Sequence, residues 1–165
     1  MNTIYLNNLK LKTFTEQNTL DYCFINNINI NNIIQLNLCN NQLTDILGIK
    51  LLYLHENNML TDISDLKNLT DLEILYLRDC NIFNILYLKK LIKLKELSLE
   101  NTEIKDISVL KNLKNLEWLS IQNLELESDQ VQYIKSLKKL KTLYSYKGFK
   151  DRSVLNKLNI NINDK

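Results

Sequence analysis

The sequence predicts an α/β solenoid, built from stacked coils that each contain one short parallel strand and one short helical return. Three observations predict it: a motif recurring about every 22 residues, apolar residues at fixed places within that motif, and an excess of Leu and Ile. Of 165 residues, 34 are Leu and 19 are Ile, whereas Pro and Ala are absent. A single domain of this length can bury a substantial core. The abundance of Asn and Lys without Ala indicates AT-rich coding.

The repeat is clearest in two neighbouring segments that align without gaps. Residues 72–93 read LEILYLRDCNIFNILYLKKLIK and residues 94–115 read LKELSLENTEIKDISVLKNLKN, both 22 residues long. Longer or partial copies lie at 33–48, 49–71, 116–139 and 140–157. Because one coil cannot bury its own apolar face, the copies are expected to stack.

Each copy divides into a strand and a return. The first part alternates apolar and polar residues, which is typical of a strand with one buried face. The second part has an apolar residue at every third position, which favours a 3₁₀ or short helical return. The repeat register predicts a core column of Leu36, Leu52, Leu75, Leu97, Leu119 and Leu143, with Leu38, Leu54, Leu77, Leu99 and Ile121 beside it.

Polar residues at fixed places in the repeat have structural explanations. The turn after each strand carries a small residue that can satisfy inward-facing backbone groups: Asn41, Asn57 or Asn58, Cys80 and Thr102. The returns are predicted to begin at capping aspartates, namely Asp45, Asp62 and Asp106. In the longest return, the spacing of Val131, Ile134 and Leu137 predicts an amphipathic helix.

The two ends of the chain depart from the repeat and set the predicted boundaries. Residues 1–32 contain strand-like fragments at the wrong spacing, so they are assigned to an irregular N-terminal cap or to degenerate repeats. The solenoid is assigned to residues 33–157. Residues 158–165 are assigned to a C-terminal capping strand and tail, because Leu, Ile and Asn alternate there.

The consensus L-x-x-L-x-L-x-x-N/C/T-x-I/L across 33–157 resembles leucine-rich repeats. The similarity is to the 22-residue repeats of the phosphatase regulator Sds22 and of bacterial internalins. The resemblance implies strands on a concave face and returns on a convex face. It also implies a non-enzymatic scaffold for protein–protein interaction, although the family hosts unrelated roles.

A partner-binding site is predicted on the concave face, where the repeat register places three columns of strand side chains. Aromatic residues and Arg at such positions have no core function and are enriched in interface hot spots. The candidate residues are Tyr53, His55, Tyr76, Arg78, Glu96, Glu100, Trp118, Tyr144 and Tyr146. The competing interpretation is that these residues simply suit strands and pack across coils.

A second candidate surface lies on the convex face, where lysines gather in and beside the returns. A net charge of only +2 is compatible with such a polarised surface. The alternative function is therefore a subunit of a ribosome- or snRNP-associated ribonucleoprotein particle, whereas the simpler interpretation is a solvated surface. The possible RNA-contacting residues are Lys89, Lys90, Lys93, Lys135, Lys138, Lys139 and Lys141.

Catalytic, metal and cofactor sites are not predicted. The one histidine, His55, has only a chance neighbour in Cys39, and the three cysteines lack a CxxC spacing. No window of about 20 apolar residues suggests a membrane span, and the first residues do not resemble a signal peptide. We therefore expect an intracellular protein, cytoplasmic or nuclear, with no membrane partner and no small-molecule substrate.

Overall fold

One parallel sheet organises the part of the chain that the structure describes. The computed structural model describes residues 2–5, 33–37, 51–55, 60–158 and 160–163. Within these ranges eight strands follow one another in sequence order, which confirms the predicted α/β solenoid. The strands are β1 (Asn2–Tyr5), β2 (Ile33–Asn37), β3 (Leu51–Tyr53), β4 (Ile74–Tyr76), β5 (Glu96–Ser98), β6 (Trp118–Ser120), β7 (Thr142–Tyr144) and β8 (Asn161–Asn163).

The strand register aligns the leucines as the repeat predicts. Each strand pairs with the next so that the first core column runs Leu36, Leu52, Leu75, Leu97, Leu119, Leu143 and finally Ile162. Leu52, Leu75, Leu97, Leu119 and Leu143 of this column are fully buried, and so is the second column of Leu54, Leu77, Leu99 and Ile121. Leu38 lies outside the described residues. Fully burying one such side chain contributes roughly 1.5–3 kcal/mol, so these columns hold the coils together.

Short 3₁₀ helices form most of the returns. They span Ser64–Asn68, Leu86–Lys90, Ser108–Asn112, Ser128–Gln130 and Arg152–Lys157. Their backbone bonds recur at three-residue intervals: the N–H of Leu88 donates to Ile85 O at 3.0 Å, and that of Leu91 donates to Leu88 O at 2.9 Å. Because side chains three residues apart share one side of a 3₁₀ helix, the period-three apolar residues all face the core.

The longest return contains the α-helix that the sequence predicts. Helix α1 (Val131–Lys135) follows directly on the 3₁₀ turn at Ser128–Gln130. Val131 and Ile134 are buried on its inner side, and Leu137 is buried two residues after its end, which confirms the amphipathic pattern.

The turn and capping positions also behave as predicted where the structure describes them. Cys80 Sγ donates to Leu54 O at 3.1 Å, and Thr102 Oγ1 donates to Leu99 O at 2.7 Å. The start of four of the described returns is closed by a side chain that accepts the N–H two residues later: Asp62 from Ser64, Asn84 from Leu86, Asp106 from Ser108 and Asp151 from Ser153. Asn41, Asp45, Asn57 and Asn58 lie outside the described residues.

Strands occupy both ends of the sheet. Strand β1 pairs in parallel with β2, with Ile4 beside Leu36, so the start of the chain contributes to the same sheet as the repeats. Strand β8 pairs with β7 at the other edge. The assignment of residues 1–32 to a cap or to degenerate repeats remains a prediction, because residues 6–32 are outside the described part.

The two faces of the solenoid are formed by different elements. Neighbouring strands lie about 4.8 Å apart, whereas packed helices need about 8–10 Å. The solenoid therefore curves so that the closely spaced strands lie on its concave side and the returns on its convex side.

Among the described residues, no helix is long and apolar enough to cross a membrane.

Candidate functional site

A continuous row of aromatic rings lies on the concave face. Tyr53 and Tyr76 meet edge to face with their ring centroids 5.0 Å apart, and the His55 ring lies 6.3 Å from Tyr53. Trp118 lies 5.7 Å from Tyr76 on one side and 5.2 Å from Tyr144 on the other. We call Tyr53, Tyr76, Trp118 and Tyr144 the aromatic row. It extends from β3 to β7, and its four rings remain partly exposed.

Two small residues allow Trp118 to join the row. Tyr76 is on β4 and Trp118 on β6, so two strand spacings, about 9.6 Å, separate their backbones. Strand β5 lies between them and carries Ser98 at the middle position, while Ser120 occupies the same position on β6. Both serines are buried although they point away from the leucine core. The large rings therefore cover them, and a bulkier residue at either place would push the indole outward.

Tyr76 is fixed within the row by a hydrogen bond. Its hydroxyl donates to Glu96 Oε2 at 2.5 Å, across the β4–β5 pair. Partial burial, together with this bond to a carboxylate, raises the pKa of Tyr76 well above its usual value. The phenol is therefore a protonated donor at neutral pH, and the Glu96 oxygen that accepts its hydrogen bond is turned toward the aromatic row.

Charged residues border the aromatic row. Arg78 Nε lies 2.8 Å from Asp79 Oδ2 and 3.7 Å from Glu100 Oε1, so the guanidinium bridges two neighbouring coils. The Arg78 side chain is half exposed, at 52%. An aromatic centre with a polar, partly hydrated border is the usual composition of a protein-binding surface.

The structure brings eight of the nine predicted concave residues into this surface. Tyr146 is the exception: its ring makes no contact with the row among the described residues and is 42% exposed. Instead, Lys147 Nζ lies over it, 5.6 Å from the ring centroid. Tyr146 is thus at the margin of the candidate site.

A second row of polar side chains, which the sequence analysis did not identify, runs beside the aromatic row. Asn101 Nδ2 donates to Asp79 Oδ1 at 2.6 Å, and Asn123 Nδ2 donates to Asn101 Oδ1 at 2.7 Å. All three residues have positive φ angles, of 57°, 54° and 60° in chain order. Asn and Asp tolerate this left-handed conformation better than other non-glycine residues. The sequence contains a signal for this row: an Asn or Asp recurs every 22 residues, directly before the turn position of the repeat.

The predicted lysines of the convex side divide into two groups. Three bond to the preceding coil within 2.6 Å: Lys93 with Asp71, Lys139 with Asn115 and Lys141 with Glu117. The hydrogen bond and charge of Asp71 raise the pKa of Lys93, as expected for an ion pair. The other four are exposed and make no side-chain bond to any described residue: Lys89, Lys90, Lys135 and Lys138.

Nothing in the described part of the chain resembles a metal centre. Among those residues, no three His, Cys, Asp or Glu side chains converge. The thiol of Cys80 is buried and engaged with backbone carbonyls, so its environment is that of a structural residue. The surface features that remain are the aromatic row and the exposed returns.

Comparison with known proteins adds a structural relationship. Neither protein-family models nor curated proteins give a match. Among solved structures, internalin C2 of Listeria monocytogenes has a TM-score of 0.75 and 29% identity, covering 97% of this chain and 69% of that chain. Internalin InlF of the same organism has a TM-score of 0.72 and 31% identity, covering 87% of this chain but only 40% of that chain. The chain thus spans less than half of the InlF structure.

Proposed function

We propose that this chain, which is a leucine-rich-repeat protein, is a non-enzymatic scaffold that binds a protein partner through its concave face. Solenoids of stacked repeats offer long concave surfaces, and such surfaces commonly bind proteins. The similarity to internalins supports an interaction scaffold in general. Use of the concave face is the more specific part of the proposal.

The aromatic row is the observation that supports concave binding. Trp and Tyr dominate the energetics of protein interfaces because they offer large, rigid contact areas at low cost in conformational entropy. Here four such rings form one uninterrupted surface with Arg78 and Glu100 at its border. A partner that presents an apolar centre and polar edges would match this arrangement.

Packing between coils explains only part of the row. Each ring pair contributes about 0.5–1.5 kcal/mol beyond area burial, so the rings do stabilise neighbouring coils. However, the repeat does not require them, since Ser98 and Ser120 occupy the same column as Tyr76. The outward faces of the rings also stay in water. A surface selected for stability alone would not need this exposed aromatic area.

Affinity purification from the native lysate, with mass spectrometry, tests the proposal. We expect the wild-type protein to retain a specific partner, and the double variant Tyr76→Ala/Trp118→Ala to recover at least about tenfold less of it, because interface aromatics often contribute 2 kcal/mol or more each. Circular dichroism melting of both proteins establishes that the variant is folded.

A matched variant on the other face sharpens the result. Lys89→Gln/Lys90→Gln removes two exposed charges of the convex side and should leave recovery of the partner unchanged. If the aromatic variant retains the partner while RNase treatment or the lysine variant removes it, concave binding is wrong, and the ribonucleoprotein alternative replaces it.

A further inference from the structure

One coil carries large apolar side chains in water. Phe83 is 67% exposed, Leu86 54% and Ile92 55%, and all three belong to the return that follows β4. Exposed apolar residues are ordinary when scattered singly. Three within ten residues of one coil, on the side away from the aromatic row, form a feature that the proposed function does not use.

Each of these residues directly follows a buried residue of the return. Residues 82, 85, 88 and 91 are buried in the core at three-residue intervals. Positions 83, 86, 89 and 92 have the same period and are all exposed. Leu86 and Lys89 share one side of the 3₁₀ helix Leu86–Lys90, and Phe83 lines one groove with Leu86. We call Phe83, Leu86, Lys89 and Ile92, all exposed on this return, the return stripe.

Neighbouring coils show that the repeat does not demand apolar residues there. In the preceding coil the places of Phe83, Leu86 and Ile92 hold residues 61, 64 and 70, which are Thr, Ser and Thr. In the following coil they hold residues 105, 108 and 114, which are Lys, Ser and Lys. These coils fold in the same way with polar residues at the surface, so the apolar character is specific to one coil.

Unpaired positive charge runs through the stripe and on both sides of it. Lys67, Lys89 and Lys111 occupy the same place in three consecutive coils, each in the last turn of its 3₁₀ helix, with Lys90 beside them. All four are exposed, and none has a bonded partner among the described residues. Phe83 and Leu86 thus lie in a basic surface.

Two of the acidic residues near the stripe have bonded partners. Asp106 lines a shallow groove with Phe83 and Leu86, but its carboxylate accepts the N–H of Ser108. Asp71 pairs with Lys93 at 2.5 Å. Asp106 keeps its negative charge, and Glu103, whose N–H donates to Ile82 O, carries another near Phe83. The unpaired positive charge lies in the last turns of the 3₁₀ helices, at Lys67, Lys89, Lys90 and Lys111.

We propose that the return stripe binds the surface of an anionic lipid bilayer. Phe, Leu and Ile side chains enter the boundary between headgroups and acyl chains, while nearby lysines bind acidic headgroups. A convex surface with protruding side chains suits a flat, deformable partner better than a peptide, which needs a concave groove. RNA would use the lysines but gain little from Leu86 and Ile92. The contact is peripheral, and the proposal departs from the expectation of no membrane partner.

Sedimentation with vesicles tests the proposal. The probes are phosphatidylcholine vesicles with and without about 30% phosphatidylserine, at low and at physiological salt. We expect binding to the anionic vesicles only. The triple variant Phe83→Thr/Leu86→Ser/Ile92→Thr, which copies the preceding coil, should bind at least about tenfold more weakly because it removes the apolar contact area.

A second variant separates charge from insertion. Lys89→Gln/Lys90→Gln should also weaken binding to anionic vesicles, and the loss should shrink as salt rises. Tyr76→Ala/Trp118→Ala should bind vesicles as the wild type does. Three vesicle results would overturn the proposal: no binding to anionic vesicles, equal binding to neutral vesicles, or normal binding by the triple variant. A fourth would be that the wild type self-associates in sedimentation velocity and the triple variant does not, because the stripe would then be an interface between copies of this chain. Binding to polyuridine RNA without vesicle binding would assign the lysines to RNA.

Discussion

Coils 72–93 and 94–115 have the same length and the same pattern of core residues, yet their residues differ at almost every position outside the core. Leu75 and Leu97 pair directly, and both are completely buried. On the concave face, by contrast, the partner of Tyr76 is Ser98. On the convex face, Leu86 of one coil is replaced by residue 108, a Ser, in the next.

In a repeat protein, positions fixed by the fold can thus be distinguished from positions that are free to serve function. A residue that recurs in every coil is explained by packing, capping or turn geometry. Where two coils of identical length carry unlike residues that share no such role, as Tyr76 and Ser98 do, the fold requires neither residue, so their chemistry points to another cause. Tyr76 of the aromatic row and Phe83, Leu86 and Ile92 of the return stripe are such residues. Substitutions in the shared core should therefore damage the fold, whereas substitutions at the differing surface positions should not.

The largest effect is expected in the shared core. Leu97→Ala should lower the free energy of unfolding by about 2–5 kcal/mol, because it leaves a cavity between coils that are already tightly packed. Leu75→Ala should cost a similar amount, since the two residues occupy equivalent sites. Urea denaturation followed by circular dichroism measures both. A loss under about 1 kcal/mol for either would mean that the column does not hold the coils together.

An intermediate effect is expected at the turn between strand and return. Asn101→Ala removes a donor to Asp79 and an acceptor for Asn123, and it places a Cβ-bearing residue without local hydrogen bonding at a φ of 54°. We expect a loss of about 1–2 kcal/mol. Asn101→Gly should lose less, because glycine adopts positive φ freely. Equal stability of the Gly and Ala variants would show that the backbone angle does not matter there.

A smaller effect is expected from Tyr76→Phe, which keeps the ring and removes the bond to Glu96. The loss at neutral pH should be about 1 kcal/mol or less.

The same variant has a distinct pH dependence. The pKa of Tyr76 is raised in the folded chain above its ordinary value of 10.0, so the folded state keeps its proton where the unfolded state releases it. The stabilisation is therefore complete below about pH 10 and declines as the pH rises further. In alkaline urea titrations, Tyr76→Phe should lose stability less steeply than the wild type. Parallel slopes for the two proteins would contradict the raised pKa.

The smallest effect is expected at the return stripe. Leu86→Ser should change stability by no more than about 0.5 kcal/mol, because Leu86 is half exposed and serine occupies its place in both neighbouring coils. Thermal melting is sufficient to measure this. A drop of several degrees would indicate that Leu86 packs within the coil and would remove the reason to regard it as a binding residue.

The fold was predictable because it depends on periods that can be read from the sequence. Alternation of apolar and polar residues predicted the strands, and apolar residues at every third position predicted the returns. The 22-residue repeat predicted the register in which Leu75 pairs with Leu97. The three concave columns follow from the same counting. The order of strands therefore required no knowledge of distances.

The details that were missed depend on angles and on side-chain size. Periodicity does not reveal the sign of φ, so Asn101 and Asn123 had no assigned role although they form a bonded row. The approach of Trp118 to Tyr76 across β5 depends on the smallness of Ser98, which is visible only once the strands are adjacent. Apolar residues were expected at every third position of a return as part of the core. The apolar Phe83, which lies next to that series, therefore prompted no separate prediction.

The bonded row of Asp79, Asn101 and Asn123 has a consequence for how such a chain can grow. Asn101 accepts from Asn123 of the following coil and donates to Asp79 of the preceding one, so the two rungs are built alike. The coil 116–139 is two residues longer, yet β6 and β7 still pair in register. A whole 22-residue unit could thus be duplicated or excised by recombination with every rung restored at the junction. Excision of 94–115 would bring Trp118 one strand nearer to Tyr76, so the number of coils itself sets the spacing of the exposed rings.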